Sequence, residues 1–244
     1  MQANALNDLI DRFIKLPVTQ RKTLYEQMSA KGMSLSRLPI PQTRHAFAQI
    51  PLSFAQERQW FLWLLDPASA AYNLPTALRL RGPLDIDALQ RSFDTLIERH
   101  QSLRTRFVEE PQGVMQVIEP RSALVLEVTR ENSATAGFIK DFVERQSRQP
   151  FDLRHDPLLR VKLLRVADDD HVLALVQHHI VSDDWSMHMM VQELVELYGG
   201  YSQGLSVELE ALPIQYTDYA IWQRRWMEAG ESERQLAYWR GQLG

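Results

Sequence analysis

The sequence has no cysteine among its 244 residues. This absence excludes disulfide bonds, a catalytic thiolate and a zinc site with cysteine ligands. An excess of one charge is also lacking, since 27 basic side chains stand against 31 acidic ones and the net charge is -4. Because no long basic or acidic block occurs, we expect neither nucleic acid nor a membrane surface as a partner.

Long apolar runs are missing as well. The longest apolar stretch, near "WFLWLL", falls far short of the roughly 20 residues that cross a bilayer. The N-terminal stretch "MQANALNDLIDRF" lacks a basic segment leading into an apolar one, so it does not have the pattern of a secretory signal. We therefore expect a cytoplasmic protein. Its 45% hydrophobic content is sufficient for a sizeable core.

The first part of the chain has the pattern of two short helices. Residues 4–31 carry this pattern, which is broken at Pro17, and Thr19 is placed to cap the second helix. A proline-rich connection follows, and we place a boundary near residue 45. This division predicts a helical lead-in over residues 1–45 and a domain over residues 46–244.

Three amphipathic helices are predicted within the domain. The first is "LDIDALQRSFDTLIERH", with Asp85 as its N-cap. The second fits residues 134–148. The third covers residues 186–198 and ends at the pair Gly199–Gly200.

Strand patterns alternate with these helices. The stretches "LRTRFVEE" and "VMQVIEP" flank "PQG" as a hairpin, and "LVLEVT" is a further strand. The stretches "LLRVKLLRVA" and "HVLALVQHH" flank the acidic turn "DDD" as a second hairpin. Helices interleaved with hairpins predict an α/β or α+β sandwich of sheet and helices.

Two adjacent histidines end the last predicted strand. His178 and His179 should point to opposite faces, which argues against a shared metal ion; we expect no metal site. One ring should enter the core or a supporting hydrogen bond, and the other should face outward beyond the strand end. Asp183 is placed to hold a histidine tautomer or to pair with an arginine, and Ser186 or Asp184 to cap the next helix.

The residues alone leave two plainer interpretations open. A histidine at a strand end is more often a satisfied structural residue than a catalytic one. A serine-histidine-acid triad fits the composition, but the sequence has no G-x-S-x-G elbow to supply the nucleophile.

Four motifs together resemble one known family. "HHIVSDDWS" resembles the HHxxxDG signature of the condensation domains of non-ribosomal peptide synthetases. "LSFAQERQWFL" is similar to the family's SxAQxRxW motif, "RHQSLRTRF" to its RHExLRTxF motif and "YTDYAIWQ" to its YxDYAxWQ motif. The four motifs occur in the family's order across residues 52–223.

The resemblance implies a fold and a reaction. The family is built from two chloramphenicol-acetyltransferase-like lobes, each a mixed sheet flanked by helices, with a tunnel between them. Donor and acceptor peptidyl carrier proteins bring thioesters on phosphopantetheine arms, no cofactor is bound directly, and the acceptor amine attacks the donor thioester to form an amide. We expect this chain to be the N-terminal lobe, inactive by itself, with the C-terminal lobe absent and a downstream adenylation domain among its partners.

The resemblance also assigns residues. His179 matches the family's second histidine, which accepts the proton of the amine or positions the amine. His178 and Asp183 are assigned mainly to architecture, with Asp183 paired to Arg104 in the first place and to Arg99 in the second. The plainer alternative is that both arginines are surface residues.

The chain departs from the family signature at one position. Asp184 stands where the family has glycine, and it places a second carboxylate beside Asp183 near the expected acceptor channel. A related non-condensing domain that recruits oxygenases carries HRxxxDD, which shares this second acid but lacks the second histidine. Trp185 and Ser186 are expected to seat the start of the helix. Five residues of the other motifs are expected to be structural rather than to touch substrate: Arg58, Trp60, Tyr216, Asp218 and Trp222.

Two alternative functions remain in view. An epimerisation domain shares HHxxxDG but usually continues as DGVSW, unlike "DDWSM" in this chain. A non-catalytic lobe would act as a docking platform for carrier proteins or tailoring enzymes. Within the condensation hypothesis, "ERQWFLWLLDPASAAYNLP" and "HHIVSD" point to the subtype that accepts a D-configured donor.

Overall fold

Helices and strands alternate along the chain. The computed structural model describes residues 2–43, 49–121, 124–132 and 134–244, so the boundary expected near residue 45 lies outside the described residues. The helices are α1 (Gln2–Lys15), α2 (Val18–Ala30), α3 (Phe54–Leu65), α4 (Ile86–Arg99), α5 (Ala136–Arg148), α6 (Asp184–Tyr201), α7 (Tyr216–Trp226) and α8 (Ser232–Leu243). The strands are β1 (Ile50–Pro51), β2 (Asn73–Arg81), β3 (Thr105–Glu110), β4 (Gly113–Ile118), β5 (Glu127–Arg130), β6 (Leu159–Ala167) and β7 (Asp170–His178).

The described chain divides into two compact units. The larger unit comprises Ala55–Val108 and Val117–Leu212. The smaller unit comprises Met1–Phe54, Glu109–Gln116 and Pro213–Gly244. The first and last helices of the chain therefore belong to the same unit.

A four-stranded mixed sheet forms the centre of the larger unit. Its strand order is β2-β7-β6-β5. Strand β7 runs antiparallel to both β2 and β6, which confirms the predicted second hairpin, and β5 runs parallel to β6. The stretch "LVLEVT" was predicted as a strand, and its second half forms β5.

Helices cover both faces of this sheet. Leu173 and Leu175 of β7 belong to a buried cluster shared with α4 and α6. Val172 and Ala174, which point to the other face, belong to a cluster with Phe142 of α5. Strand β7 is therefore a continuous apolar run because it is buried on both sides. The predicted α/β sandwich, a mixed sheet flanked by helices, is confirmed.

The predicted helices α4 and α5 form close to the expected bounds. The carboxylate of Asp85 accepts a hydrogen bond from the backbone N–H of Ala88 at 2.9 Å, which confirms Asp85 as the N-cap of α4. Helix α5 begins at Ala136 rather than at residue 134, because the side chain of Thr135 caps it.

Helix α6 is longer than the sequence pattern predicts. It runs from Asp184 to Tyr201 and passes through Gly199 and Gly200, so the predicted stop at the glycine pair is wrong. A Cβ atom on Gly200 would lie 2.1 Å from Cγ2 of Val207. The glycine is therefore needed for a close approach of the following chain, and it does not end the helix.

The smaller unit has its own apolar core. It brings α1, α2 and the turn between α7 and α8 together around Phe13, Ile14, Met28, Leu35 and Ala229. The break at Pro17 is confirmed, but the cap predicted at Thr19 is wrong. Pro17 itself occupies the N-cap position with no side-chain hydrogen bond, and Thr19 lies inside α2.

The first predicted hairpin is also confirmed. Strands β3 and β4 are neighbours in a three-stranded sheet of order β1-β4-β3. Ile50 of β1 lies opposite Gln116 of β4, and the side-chain amide of Gln116 donates to the carbonyl oxygen of Pro51 at 2.8 Å.

Candidate active site

Strand β7 carries the two histidines to its C-terminal end. The backbone N–H of His178 donates to the carbonyl oxygen of Leu158 at 3.2 Å, and that of His179 donates to the carbonyl oxygen of Tyr72 at 2.9 Å. The segments on either side of β7 therefore fix both backbones. His178 is buried and His179 is exposed, which confirms the predicted division between core and surface.

The ring of His178 is a structural part of the turn. Its Nδ1 accepts a hydrogen bond from the backbone N–H of Ile180 at 3.1 Å. The ring of Phe151 meets it edge-on with the centroids 6.1 Å apart. Burial lowers the pKa of His178 to about 4, and the charges of His179 and Arg160 contribute to the shift. His178 is therefore neutral at neutral pH, with its hydrogen on Nε2.

Residues of the first family-like motif support this arrangement. Nε1 of Trp63 donates to the carbonyl oxygen of Phe151 at 2.9 Å. Trp60 packs against Trp63 and Phe107, with ring centroids 4.9 and 6.2 Å apart. Trp60 was predicted to be structural, and its burial agrees with that role.

His179 has a ring nitrogen that is available for chemistry. Its Nδ1 lies 2.7 Å from the carbonyl oxygen of Ser182. Because a carbonyl oxygen only accepts hydrogen bonds, Nδ1 must carry the hydrogen. In the neutral ring the lone pair is then on Nε2. A histidine held in this tautomer is able to accept a proton from an amine or to orient that amine.

Asp183 caps helix α6. Its backbone is extended, with φ -141° and ψ -179°, and its carboxylate accepts from the backbone N–H of Ser186 at 2.8 Å. Hydrogen bonding by Ser186 lowers the pKa of Asp183. The cap was predicted at Ser186 or Asp184, and this prediction is wrong because Asp184 is already the first helical residue.

Among the described residues, no arginine forms the ion pair expected for Asp183. Nη1 of Arg104 donates to the carbonyl oxygen of Glu119 at 2.5 Å, and Nε of Arg99 lies 3.2 Å from Oε1 of Glu193. Asp183 is exposed, and its carboxylate accepts a hydrogen bond at the start of α6. The predicted pairs with Arg104 and Arg99 are both wrong.

The remaining predicted residues lie on the exposed start of α6. Asp184 occupies the first helical position, where an acidic side chain interacts favourably with the helix dipole and no glycine is required. Ser186 takes part in the cap through its backbone. Trp185 is 74% exposed, so the prediction that it seats the helix start is wrong.

Residues of the fourth family-like motif lie in the smaller unit. Asp218 is fully buried and accepts from the backbone N–H and hydroxyl of Thr43 at 2.6 and 2.7 Å. It also accepts from the backbone N–H of Gln215 at 2.8 Å. The hydroxyl oxygens of Tyr216 and Ser53 are 2.8 Å apart. The structural role predicted for Asp218 and Tyr216 agrees with these contacts.

Sequence reasoning missed the groups that orient the histidines. The carbonyl oxygens of Tyr72, Leu158 and Ser182 fix the two residues, yet backbone groups carry no sequence signal. Phe151, whose ring contacts His178, is different, because an aromatic residue shortly before the second hairpin is a signal that the sequence does contain.

Neither a metal site nor a membrane span occurs in the described part of the chain. Among residues 2–43, 49–121, 124–132 and 134–244, no three histidine or acidic side chains converge on a possible metal position. Over the same ranges, the helices are too short or too polar for a membrane span.

Comparisons with known proteins agree with the motifs. The family described as "Condensation domain" matches residues 47–244. A linear gramicidin synthase of Brevibacillus parabrevis is 43% identical over 216 residues, which cover 85% of this chain and 3% of that protein. The chain therefore spans only a small part of this relative.

Solved structures show the same fold. The complex of the X-domain and OxyB from teicoplanin biosynthesis matches with a TM-score of 0.73 and 32% identity, over 80% of this chain and 43% of that chain. The starter condensation domain of rhizomide synthetase RzmA matches with a TM-score of 0.72 and 21% identity, over 81% of this chain and 48% of that chain. On this evidence the chain belongs to the condensation domain family of non-ribosomal peptide synthetases and has its chloramphenicol-acetyltransferase-like fold.

Proposed function

We propose that residues 46–244 form the N-terminal lobe of a domain that joins a donor peptidyl or aminoacyl thioester to an acceptor amine, with residues 1–45 as its lead-in. The substrates arrive on the phosphopantetheine arms of donor and acceptor carrier proteins in the cytoplasm. A second lobe and an adenylation domain of the same synthetase are the further partners. Family membership and the 43% identity to a gramicidin synthase support this proposal.

The orientation of His179 is the observation that carries the proposal. The acceptor nitrogen attacks the thioester carbonyl carbon, so a C–N bond forms and the C–S bond breaks. The nitrogen loses one proton and the departing sulfur gains one. With Nδ1 bonded to Ser182, Nε2 of His179 is the atom that takes the proton or holds the amine in place.

Positioning contributes more to this reaction than the imidazole does. A positioned general base supplies roughly 10²–10⁴-fold, whereas holding two reactants together gives effective molarities of roughly 10⁵–10⁸ M. This chain covers 43% of one solved chain and 48% of the other, so each solved chain is about twice as long as its matched part. We therefore propose that the 244 residues alone do not hold both substrates and do not catalyse.

The test uses the parent synthetase with loaded carrier proteins and mass-spectrometric detection of the dipeptidyl product. His179→Ala should slow amide formation by roughly 10²–10⁴-fold while some activity remains. His188→Ala is the matched control, because His188 is an exposed histidine of α6 that bonds to Gln192. A wild-type rate for His179→Ala would refute the role assigned to His179. Robust dipeptide formation by the 244-residue chain alone would refute the proposal that it does not catalyse by itself.

A second candidate is a non-catalytic module that recruits a tailoring oxygenase. It is favoured by the 32% identity to an X-domain solved together with OxyB, and by the acid at Asp184. Comparing the parent enzyme with its Asp184→Gly variant separates the two roles. Amide formation by either form supports condensation. A parent that forms no amide with either residue, and that retains an oxygenase in a pull-down, supports recruitment.

A further inference from the structure

A charged cleft lies in the larger unit, and His179 is not among the residues that line it. It has a volume of about 410 Å³ and is formed by the start of β3, the segment that follows β4 and the loop before β6. Its charged lining residues are Arg104, Arg106, Arg121, Arg154, Glu119 and Asp156. Arginine thus predominates over acid in this cleft.

Both acids of the cleft already have partners. The carboxylate of Glu119 forms an ion pair with Arg106. The carboxylate of Asp156 accepts from the backbone N–H of Asp152 at 3.0 Å and lies 3.7 Å from Nη2 of Arg160. Neither acid forms an ion pair with Arg104 or Arg121 among the described residues.

Arg104 is held by the main chain of Glu119, and no carboxylate of the described residues forms an ion pair with it. Its Nη1 donates to the carbonyl oxygen of Glu119, and the backbone N–H of Glu119 donates in turn to the carbonyl oxygen of Arg104 at 2.9 Å. Its Nε is buried and has no hydrogen-bond partner among the described residues. Arg121 is exposed at the rim, and over the described ranges its side chain has no acidic partner.

These features suit one class of ligand. A guanidinium offers a planar set of N–H donors that matches phosphate oxygens. Leu103 and Pro157 add apolar surface to the lining, and the volume is within the usual range for small-molecule sites. We propose that this cleft binds the phosphate group of a small organic phosphate ester through Arg104 and Arg121.

Calorimetric titration of the 244-residue chain in phosphate-free buffer tests the proposal. The probes are glycerol 3-phosphate, glycerol and inorganic phosphate. Glycerol 3-phosphate should bind and glycerol should not. Equal affinity for inorganic phosphate would assign the cleft to free phosphate, whereas tighter binding of the ester would assign it to organic phosphates.

Substitutions locate the binding. Arg121→Gln and Arg104→Gln should each weaken glycerol 3-phosphate binding about tenfold or more, because each removes a charged hydrogen bond. Arg145→Gln is the matched control, since Arg145 belongs to α5 and lies outside the cleft. Thermal melts check that Arg104→Gln is folded. If that variant is unfolded, Arg121→Gln still tests the proposal, because Arg121 is exposed.

Besides equal affinity for inorganic phosphate, three results would overturn the proposal. They are the absence of heat with both phosphate probes, unchanged affinity in Arg121→Gln, and an equal loss in Arg145→Gln. The last result would mean that general surface charge attracts the anion.

Discussion

The turn after β7 in the larger unit and the segment around α7 in the smaller unit both concentrate polar side chains, but they use them differently. Asp218 is fully buried and accepts from three donors. Glu231 is 3% exposed and its carboxylate accepts from the side chains of Tyr25, Arg234 and Gln235. In the turn after β7, His179 and Asp183 are exposed, and each bonds to the backbone of its own turn.

The difference separates architecture from chemistry. A buried polar group that is fully hydrogen-bonded fixes neighbouring segments, and the removal of one partner is costly. An exposed side chain that is oriented by a single hydrogen bond to the backbone has other atoms that can contact a ligand. The comparison therefore assigns Asp218 and Glu231 to folding, and it supports the role that we propose for Nε2 of His179.

The largest expected effect on stability is at Asp218. Asp218→Ala should lower the free energy of unfolding by about 3–5 kcal/mol, because two backbone N–H groups and a hydroxyl lose their acceptor. Urea denaturation measures the loss. Asp218→Asn keeps one side-chain oxygen and should lose less. A loss below about 1 kcal/mol in Asp218→Ala would break the comparison.

The next effect is a pH dependence that arises from His178. Its folded pKa is about 4, below the roughly 6.5 of an unfolded histidine. Because the unfolded chain binds the proton at a higher pH than the folded chain does, the stability that neutral His178 contributes is fully present above a pH of roughly 6.5. It should fall by about 3 kcal/mol as the pH decreases to about 4. Denaturation at a series of pH values between neutrality and the folded pKa measures it.

A matched pair of variants assigns this pH dependence. His178→Asn retains an acceptor for the N–H of Ile180 and should flatten the stability profile between the unfolded and folded pKa values of the histidine. His179→Ala should change the profile much less, because the charge of His179 contributes less than burial does to the pKa shift of His178. An unchanged profile in His178→Asn would show that other groups produce the slope.

Glu231 should produce a smaller effect at lower pH. Hydrogen bonding by Arg234 and the other donors lowers its pKa to about 2. Its contribution is present above the usual carboxyl pKa of roughly 4.3 and is lost as the pH falls towards about 2. Because Arg234 is largely exposed, we expect only about 2 kcal/mol. Glu231→Gln should remove this loss in acid denaturation, and a persistent loss would contradict the assignment.

The smallest expected effect is at Asp183. Asp183→Ala should lower the free energy of unfolding by about 1 kcal/mol, the usual value for a lost N-cap. Asp85→Ala removes a cap of the same kind from α4 and should cost a similar amount. A loss of about 4 kcal/mol at Asp183 alone would instead indicate the buried ion pair with an arginine that the described residues do not show.

Local patterns predicted much of the fold. The alternation of apolar residues located both hairpins, and Asp85 marked the start of α4 correctly. The pair Gly199–Gly200 led to a wrong prediction of the end of α6, because a helix tolerates glycine when another segment must approach it closely. The opposite environments of His178 and His179 followed from strand geometry alone.

The sequence by itself determined the family, the strand that ends in the histidine pair and the exposure of one ring, because these depend on residue type and a period of two. Only the tertiary structure decided which group forms a hydrogen bond with that ring and which groups the arginines contact. Ser182 acts through a backbone carbonyl, and Arg104 bonds to the carbonyl of Glu119 instead of Asp183. Each of these contacts joins a side chain to a main-chain oxygen, and no side-chain pattern encodes which oxygen that is.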